Sequence, residues 1–384
     1  MTLSRADRSG FAAWWWTIDR GALSAMVALL AIGLVLAFAA SPAATGSPFA
    51  AGDFRYAVKQ IGFACVACVI LGFTSLLSVR AIKLSAAIVY GLALIGSALV
   101  LFTGDEVLGA KRWIDIGGMT LQPSEFLKPG FAVLGAAVLA DKAKMILPKE
   151  LIAFFLVAPA LIVLILQPDV GQTGMLLALW GALLFFNGIS LVWIGALAGG
   201  TAGLGVAAYA LIPHVRHRFD QYLTPGQSGY QTGLALKAFE HGGLLGTGPG
   251  AGTIKYRIPD AHSDFIFAVA GEEFGLVLCG LIALLFCVLS VRLLLRAARA
   301  RDAFAGLCGA SLAMVVALQA FINMGVAVSL LPAKGMTLPF ISYGGSSLFA
   351  VALTMGYALA ITRRRSKIGE RDRPLFGFLK ESAA

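Results

Sequence analysis

Apolar runs too long for the core helices of a soluble protein, separated by short polar breaks, dominate the pattern of this chain. Ten of them are near or above the roughly 17 to 25 residues with which a helix crosses a bilayer. They cover about 21 to 40, 58 to 78, 82 to 102, 124 to 141, 150 to 167, 172 to 188, 190 to 212, 265 to 291, 304 to 330 and 346 to 362. The expected fold is all-α: a polytopic integral membrane protein of ten transmembrane helices. A single membrane domain would fill 1 to 362, with a large outer loop at 213 to 264 between helices seven and eight, and 363 to 384 would form a basic tail. An even number of spans returns both termini to one side.

Composition agrees, since the 384 residues are 59% hydrophobic and 13% charged. Charge then decides orientation, because short loops on the cytoplasmic side carry an excess of Lys and Arg. With both termini inside, cytoplasmic segments hold Arg5, Arg8, Arg20, Arg80, Lys83, Lys142, Lys144, Lys149, Arg292, Arg296, Arg299, Arg301 and the tail run Arg363, Arg364, Arg365 and Lys367. The net charge of +10 is therefore mainly a topology signal, and its dispersal over loops argues against nucleic-acid binding. AFAASPA near position 40 resembles a signal-peptide cleavage site. The preceding run is of full spanning length and follows a polar lead with Trp14, Trp15 and Trp16, so a retained first helix with an interfacial anchor is expected. The C-x-x-C pair Cys65 and Cys68 lies within a span and reads as small apolar filler, without the usual redox or metal partners.

The outer loops hold the unusual chemistry. All four histidines, His214, His217, His241 and His262, fall in 213 to 264. GYQTGLALKAFEHGGLLG, from Gly229 to Gly246, has Leu234, Leu236 and Phe239 at helical spacing and predicts a short helix lying on the membrane. Arg216, Arg218, Lys237, Lys255 and Arg257 add positive charge on the side the topology bias disfavours, which points to an anionic ligand; a solvated loop face is the plainer reading. A second basic patch, Lys111 and Arg112 before Trp113, suits phosphate oxygens beside a lipid or sugar face. Ser124 reads as a helix N-cap, and Glu125 lies in the first turn. Lys128, one turn on, is costly at that depth, and either a Glu125–Lys128 helix pair or a role in a site would account for it. GTGPGAG, from Gly246 to Gly252, lacks the strand and the GK[ST] of a nucleotide loop, and a turn or backbone N–H groups facing a lipid phosphate fit it better. Without HExxH or acidic ligands, a histidine zinc site is disfavoured.

Taken together, KRWIDIGGMTLQPSEFLKPGF, QPDVGQT, GYQTGLALKAFEHGGLLGTGPG, IPDAHSDFIFAVAGEEFG and LLPAKGMTLPFISYGGSS resemble the SEDS family (shape, elongation, division and sporulation). The matches run in family order from about 100 to 362, and KGMTLPFISYGGSS is more similar to the division member than to the elongation member. The resemblance implies a ten-span polymerase that joins lipid II into peptidoglycan glycan strands at the outer face of the bacterial inner membrane, at the division septum. The GlcNAc 4-hydroxyl of one lipid II would attack the anomeric carbon of a glycan on undecaprenyl pyrophosphate, in one inverting step with one base.

Asp264 matches the position where the family places an aspartate, and it would be that base; N-capping of the eighth helix is the structural alternative, and Asp260 a rival base. Ser263 replaces the threonine common before that aspartate. Lys111, Arg112, Arg216, Arg218, Lys255 and Arg257 would hold the pyrophosphates, with Trp113, Glu125, Lys128 and His262 as further substrate contacts. No resident cofactor is implied, although a divalent cation, Mg2+ or Mn2+, could share the work on pyrophosphate. Asp169 and Gln172 would line the same cavity. At least one of Glu272 and Glu273 should face the bundle interior or water, and SYGGSS should serve close packing. The implied partners are lipid II, the nascent strand, a cognate class B penicillin-binding protein and other division proteins. A lipid II flippase or transporter, or a non-catalytic scaffold, is the alternative; a transporter should show midplane polar residues and broken helices, whereas these spans read as mostly uninterrupted.

Overall fold

The computed structural model describes residues 10–44, 54–104, 106–107, 110–117, 119–143, 146–211, 216, 220, 230–332 and 335–363. Arg218, His214, His217, Lys334 and the tail from 364 lie outside the described residues. Helices are α1 (Gly10–Thr17), α2 (Arg20–Ala44), α3 (Arg55–Ser75), α4 (Val79–Thr103), α5 (Ser124–Leu139), α6 (Lys149–Leu166), α7 (Val170–Phe186), α8 (Leu191–Leu211), α9 (Tyr230–Gly242), α10 (Ile266–Ala298), α11 (Ala303–Ala327) and α12 (Gly345–Ile361). Each of the ten apolar runs is occupied by one of α2 to α8 and α10 to α12. Six of these helices, α2, α3, α4, α6, α10 and α11, are long and apolar enough to cross a membrane. The chain is a multi-pass membrane protein.

The bundle is built around α12, which is buried from Ser346 to Ile361 except at Phe349. It packs against α3 and α11, while α10 packs against α2, α9 and α11 and α4 against α5. Val58, Val66, Val69 and Phe73 of α3, and Leu84, Leu92 and Leu99 of α4, remain exposed on the outside. Large apolar side chains in that position are the expected surface toward lipid tails.

At one end of the bundle Trp14 Nε1 of α1 donates to Ser75 Oγ at 2.9 Å, and Arg20 lies over the Trp16 ring at 4.7 Å. Buried Asp19 pairs there with Arg292 at 2.8 Å and with Arg296. Burial alone would raise the Asp19 carboxyl, but the Ala22 N–H and the two guanidiniums outweigh it and hold the group below its ordinary range.

Three sequence-based expectations need correction. First, two antiparallel hairpins follow α4: β1 (Glu106–Val107) pairs with β2 (Ala110–Lys111), and β3 (Ile114–Ile116) with β4 (Met119–Leu121). IDIGGMTL carries the signal for the second, because glycine at Gly117 permits the φ of 61° that a tight hairpin turn requires. Second, Ser124 does not cap α5. The N-cap is Pro123, Ser124 is already helical, and its hydroxyl is buried without a hydrogen-bond partner among the described residues.

Third, α10 is not an uninterrupted span. Its 33 residues would run about 50 Å, and Gly275 breaks it with φ 76° and ψ −179°. The freed backbone groups find partners in the loop after α9. Leu276 and Val277 donate to the carbonyls of Gly243 and Leu244 at 3.0 and 3.2 Å, while Thr247 and Gly248 donate to those of Glu272 and Glu273 at 2.9 and 3.0 Å. A break at membrane depth is tolerable only when its backbone groups are satisfied in this way. The helix predicted over 229 to 246 is α9, shorter at Tyr230–Gly242, and it packs on the broken part of α10. Leu234 is buried and Phe239 meets Phe267 edge-on with ring centroids 5.7 Å apart, whereas Leu236 is exposed on the opposite side.

Candidate active site at the mouth of α10

The turn before α10 is organised by the carbonyl of Asp260, which accepts from the N–H groups of Ser263 and Asp264 at 3.0 Å each. Asp260 itself adopts a positive φ of 54°. The helix begins at Ile266 behind an N-cap of Phe265 that makes no side-chain cap bond, so Asp264 is not the cap. Among the described residues its carboxylate makes no hydrogen bond. Loop 335–338 closes on it, since a Cβ at Gly335 would lie 3.1 Å from Asp264 Oδ2. Burial pushes the Asp264 carboxyl up to about 7, helped by Asp260, Glu125 and Asp169 and opposed by Arg112.

From Asp264 a polar network crosses the bundle. Asn323 Nδ2 on α11 donates to the Asp264 carbonyl at 2.8 Å and to that of Met336 at 2.6 Å. One turn earlier, Gln319 donates to the Thr337 carbonyl at 3.1 Å and accepts from Lys128 Nζ at 3.1 Å. Lys128 donates to Glu125 Oε2 at 2.7 Å, and Gln172 Nε2 donates to Glu125 Oε1 at 2.5 Å. Asp169 caps α7 through the N–H of Gln172 at 3.2 Å, and Arg112 Nε approaches its carboxylate at 3.7 Å. Burial raises the Asp169 carboxyl although Arg112 opposes it. The Glu125–Lys128 pair is thus a link between α5, α7 and α11 and not a local helix pair alone. Between α7 and α11 lies a mainly apolar cavity of about 230 Å³, lined by Gly171, Gly174 and Met175 of α7, Ile322 of α11, and Leu331, Pro332 and Met336 of the following loop.

His262 stands two residues before Asp264, with its ring 4.9 Å from Tyr56 and 5.3 Å from Tyr343. Burial lowers its pKa despite nearby Asp260, so it offers a neutral ring and not a positive charge. The serines of SYGGSS tie these loops together. Ser342 Oγ donates to the Ser263 carbonyl at 2.5 Å and accepts from the Leu338 N–H at 2.7 Å, and Ser346 Oγ accepts from the Gln122 N–H at 3.0 Å.

The cations expected to bind pyrophosphate divide sharply. Arg112 is at the site, with Nη2 on the Pro168 carbonyl at 2.6 Å. Lys111 lies on β2, partly exposed, and Trp113 is exposed. Arg257 is exposed at the end of a short 3-10 helix, Ile254–Arg257. Arg216 lies on the exposed surface, 3.9 Å from Asp220. Lys255 is a correction: at 1% exposure it is sealed, its ammonium committed to Glu273 and, at 2.7 Å, to the Ala39 carbonyl.

Backbone N–H groups of the glycine-rich loop are likewise occupied from within. Glu272 accepts from the N–H groups of Thr253, Ile254 and Lys255 at 2.7, 2.7 and 2.9 Å and from His241 Nδ1 at 3.0 Å, and Glu273 accepts from Gly250 at 3.1 Å. Both carboxylates are buried, and they take up the N–H groups of Gly250 in the loop and of Thr253, Ile254 and Lys255 just after it. Among the described residues no group of three or more His, Cys, Asp or Glu is arranged to hold a metal ion, and the nearby carboxylates of Glu125 and Asp169 already have partners. Gln319, Asn323 and Gln60 escape the sequence reading; Gln60 Nε2 donates to the Ser342 carbonyl at 3.2 Å. Their signal was a lone amide in a hydrophobic span, which is expensive unless bonded.

A multi-pass membrane protein with a raised-pKa carboxylate at one mouth of its bundle, backed by a buried polar network, is the class these features define. Within that class, the chain belongs to the FtsW, RodA and SpoVE family of cell cycle proteins, whose profile matches residues 20–367. It is 41% identical over 365 residues to a protein of Caulobacter vibrioides named "Probable peptidoglycan glycosyltransferase FtsW", covering 94% of this chain and 93% of that one. A namesake from Halorhodospira halophila is 33% identical over 94% of this chain and 96% of its own. Among solved structures, a chain from a study of polymerization and crosslinking by a peptidoglycan synthase complex superposes with a TM-score of 0.74 at 28% identity, covering 91% of this chain and 98% of that one. The rod shape determining protein RodA of Thermus thermophilus gives 0.66 at 26% identity, covering 91% and 97%.

Proposed function

We propose that this chain is a peptidoglycan glycosyltransferase that polymerises lipid II in septal wall synthesis during cell division. The observation that carries the reading is Asp264: a carboxyl without a hydrogen bond among the described residues and poised near neutrality, at the head of a polar network, in a family whose similar members are named for this reaction. Asp264 takes the proton of the GlcNAc 4-hydroxyl as that oxygen bonds to the donor's anomeric carbon. The bond from that carbon to pyrophosphate breaks, and undecaprenyl pyrophosphate leaves. Arg112, Lys111 and Arg257 stabilise the leaving charge, with Arg216 and Arg218 on the approach and Trp113 against prenyl or sugar. Neutral His262 contacts sugar. Glu125 and Lys128 fix the floor of the site. A divalent cation, Mg2+ or Mn2+, would reach the site on the pyrophosphate and share in neutralising it.

Ten helices spanning the bacterial inner membrane, with both termini and the tail 363 to 384 inside and the 213 to 264 loop outside, would place Asp264 at the outer face, where glycan is built. The working partner is a class B penicillin-binding protein at the septum. The break in α10 and the buried polar network of Glu125, Lys128, Gln172, Gln319 and Asn323 are the features that favour a transporter, and the network is spent on internal hydrogen bonds. The break is filled by the 243–248 segment, whose backbone closes it on both sides, and so it reads as a fixed joint. Purified protein with its cognate penicillin-binding protein should convert labelled lipid II into glycan strands. Transfer of lipid II across vesicles without polymer would replace this reading with the transporter one, and inactivity in both assays would favour the scaffold.

A further inference from the structure

Gln319 and Asn323 lie four residues apart on one face of α11, each 1% exposed, in an otherwise apolar helix. Each donates its amide to a carbonyl of loop 335–338, Gln319 to Thr337 and Asn323 to Met336. Each also reaches a second element, Gln319 to Lys128 on α5 and Asn323 to the backbone of Asp264 itself. The amides therefore form two rungs that fix the Asp264 turn, the loop against its carboxylate and the Glu125–Lys128 pair in one frame. The orientation of Asn323 is dictated, because both of its nitrogen's partners are carbonyl acceptors. That leaves Asn323 Oδ1 buried with no partner among the described residues. Both donations of Asn323 are thus spent on the two segments that flank the Asp264 carboxylate.

We infer that Asn323 is the positioning residue of the reaction: its amide sets where the Asp264 carboxylate stands relative to the attacking hydroxyl, with Gln319 securing the same loop one turn away. The inference rests on the reading of Asp264 as base. A base must stand within hydrogen-bond reach of its proton, and displacement by about 1 Å costs on the order of a hundredfold. Loss of the clamp should therefore lower kcat and leave the binding of lipid II largely alone.

The test is steady-state glycan polymerisation from lipid II by the full chain with its cognate penicillin-binding protein, measured across pH, for wild type, Asn323→Leu, Asn323→Asp and Asp264→Asn. Asn323→Leu keeps the branched outline and removes both donors; kcat should fall by roughly tenfold to a hundredfold, with KM within about twofold of wild type. Asn323→Asp keeps the shape and adds a fifth charged group to those acting on Asp264, namely Asp260, Glu125, Asp169 and Arg112. Its acid limb should move to higher pH, a response that loss of folded protein cannot produce. If Asp264→Asn is inactive while every folded Asn323 variant keeps the wild-type kcat and pH profile, the positioning role is wrong. If Asp264→Asn polymerises like wild type, the base assignment fails first and the positioning role falls with it.

Discussion

Asp264 differs from the buried carboxylates Glu125, Asp169, Glu272 and Glu273 in that its carboxylate has no hydrogen-bonded partner among the described residues. Glu125, Asp169, Glu272 and Glu273 are held by buried donors, whereas Asp264 is pushed up to about 7 by burial and by like charges, Asp260 first among them. A base works in its ionised form, so activity should rise as pH increases through about 7. Replacing Asp260 by Asn removes one of those like charges, and Asn tolerates the positive φ at that position. The acid limb of polymerisation should then move to lower pH with activity retained. Abolished activity in Asp260→Asn would instead make Asp260 the base. The position of Asp264 before an apolar helix was legible in the sequence, but whether it caps that helix was not. Capping depended on whether the helix starts at 265 or 266, and one residue of phase is beyond what periodicity resolves.

The element that most changes the picture is α10 with the loop wrapped around its break. Apolar periodicity located the helix and α9 beside it, yet Gly275 reads in sequence as one more glycine of a glycine-rich membrane protein. Only the packing shows why a side chain is excluded there: a Cβ would collide with the Leu244 carbonyl. The same geometry explains the error over Lys255. In sequence it is one more outer cation beside Arg257, but the loop turns inward and delivers it to Glu273, eighteen positions on and on another element. Lys255→Met would strand the Glu273 carboxylate in the interior, at a cost of roughly 3 to 5 kcal/mol. The expected result is a clear drop in melting temperature in detergent, with weakened folding and not merely weaker substrate affinity. A Lys255→Met protein as stable as wild type, but with a raised KM for lipid II, would return Lys255 to the substrate site.

Across the whole molecule, the two ends do different work. One end is closed by the Asp19, Arg292 and Arg296 cluster and by α1 with its tryptophans; the other gathers Asp264, His262, the serines of SYGGSS and Arg112 around the mouth of α10. Charge bias along the sequence separated those two ends correctly in kind, because Arg292 and Arg296 fell with the N-terminus and Asp264 fell opposite. The network linking α5, α7 and α11 was only partly legible: Glu125 and Lys128 were visible as costly charges, while Gln319 and Asn323 are neutral and their partners are distant in sequence. Glycosyl transfer through one carboxylate at the mouth of α10 is what joins these two ends into a function. The most direct measurement is glycan-strand formation from labelled lipid II by the wild-type chain and by Asp264→Asn, each with the cognate penicillin-binding protein and each shown to be folded and to bind lipid II. Wild type should make polymer and the variant essentially none; equal polymer from both would rule out Asp264 as the base.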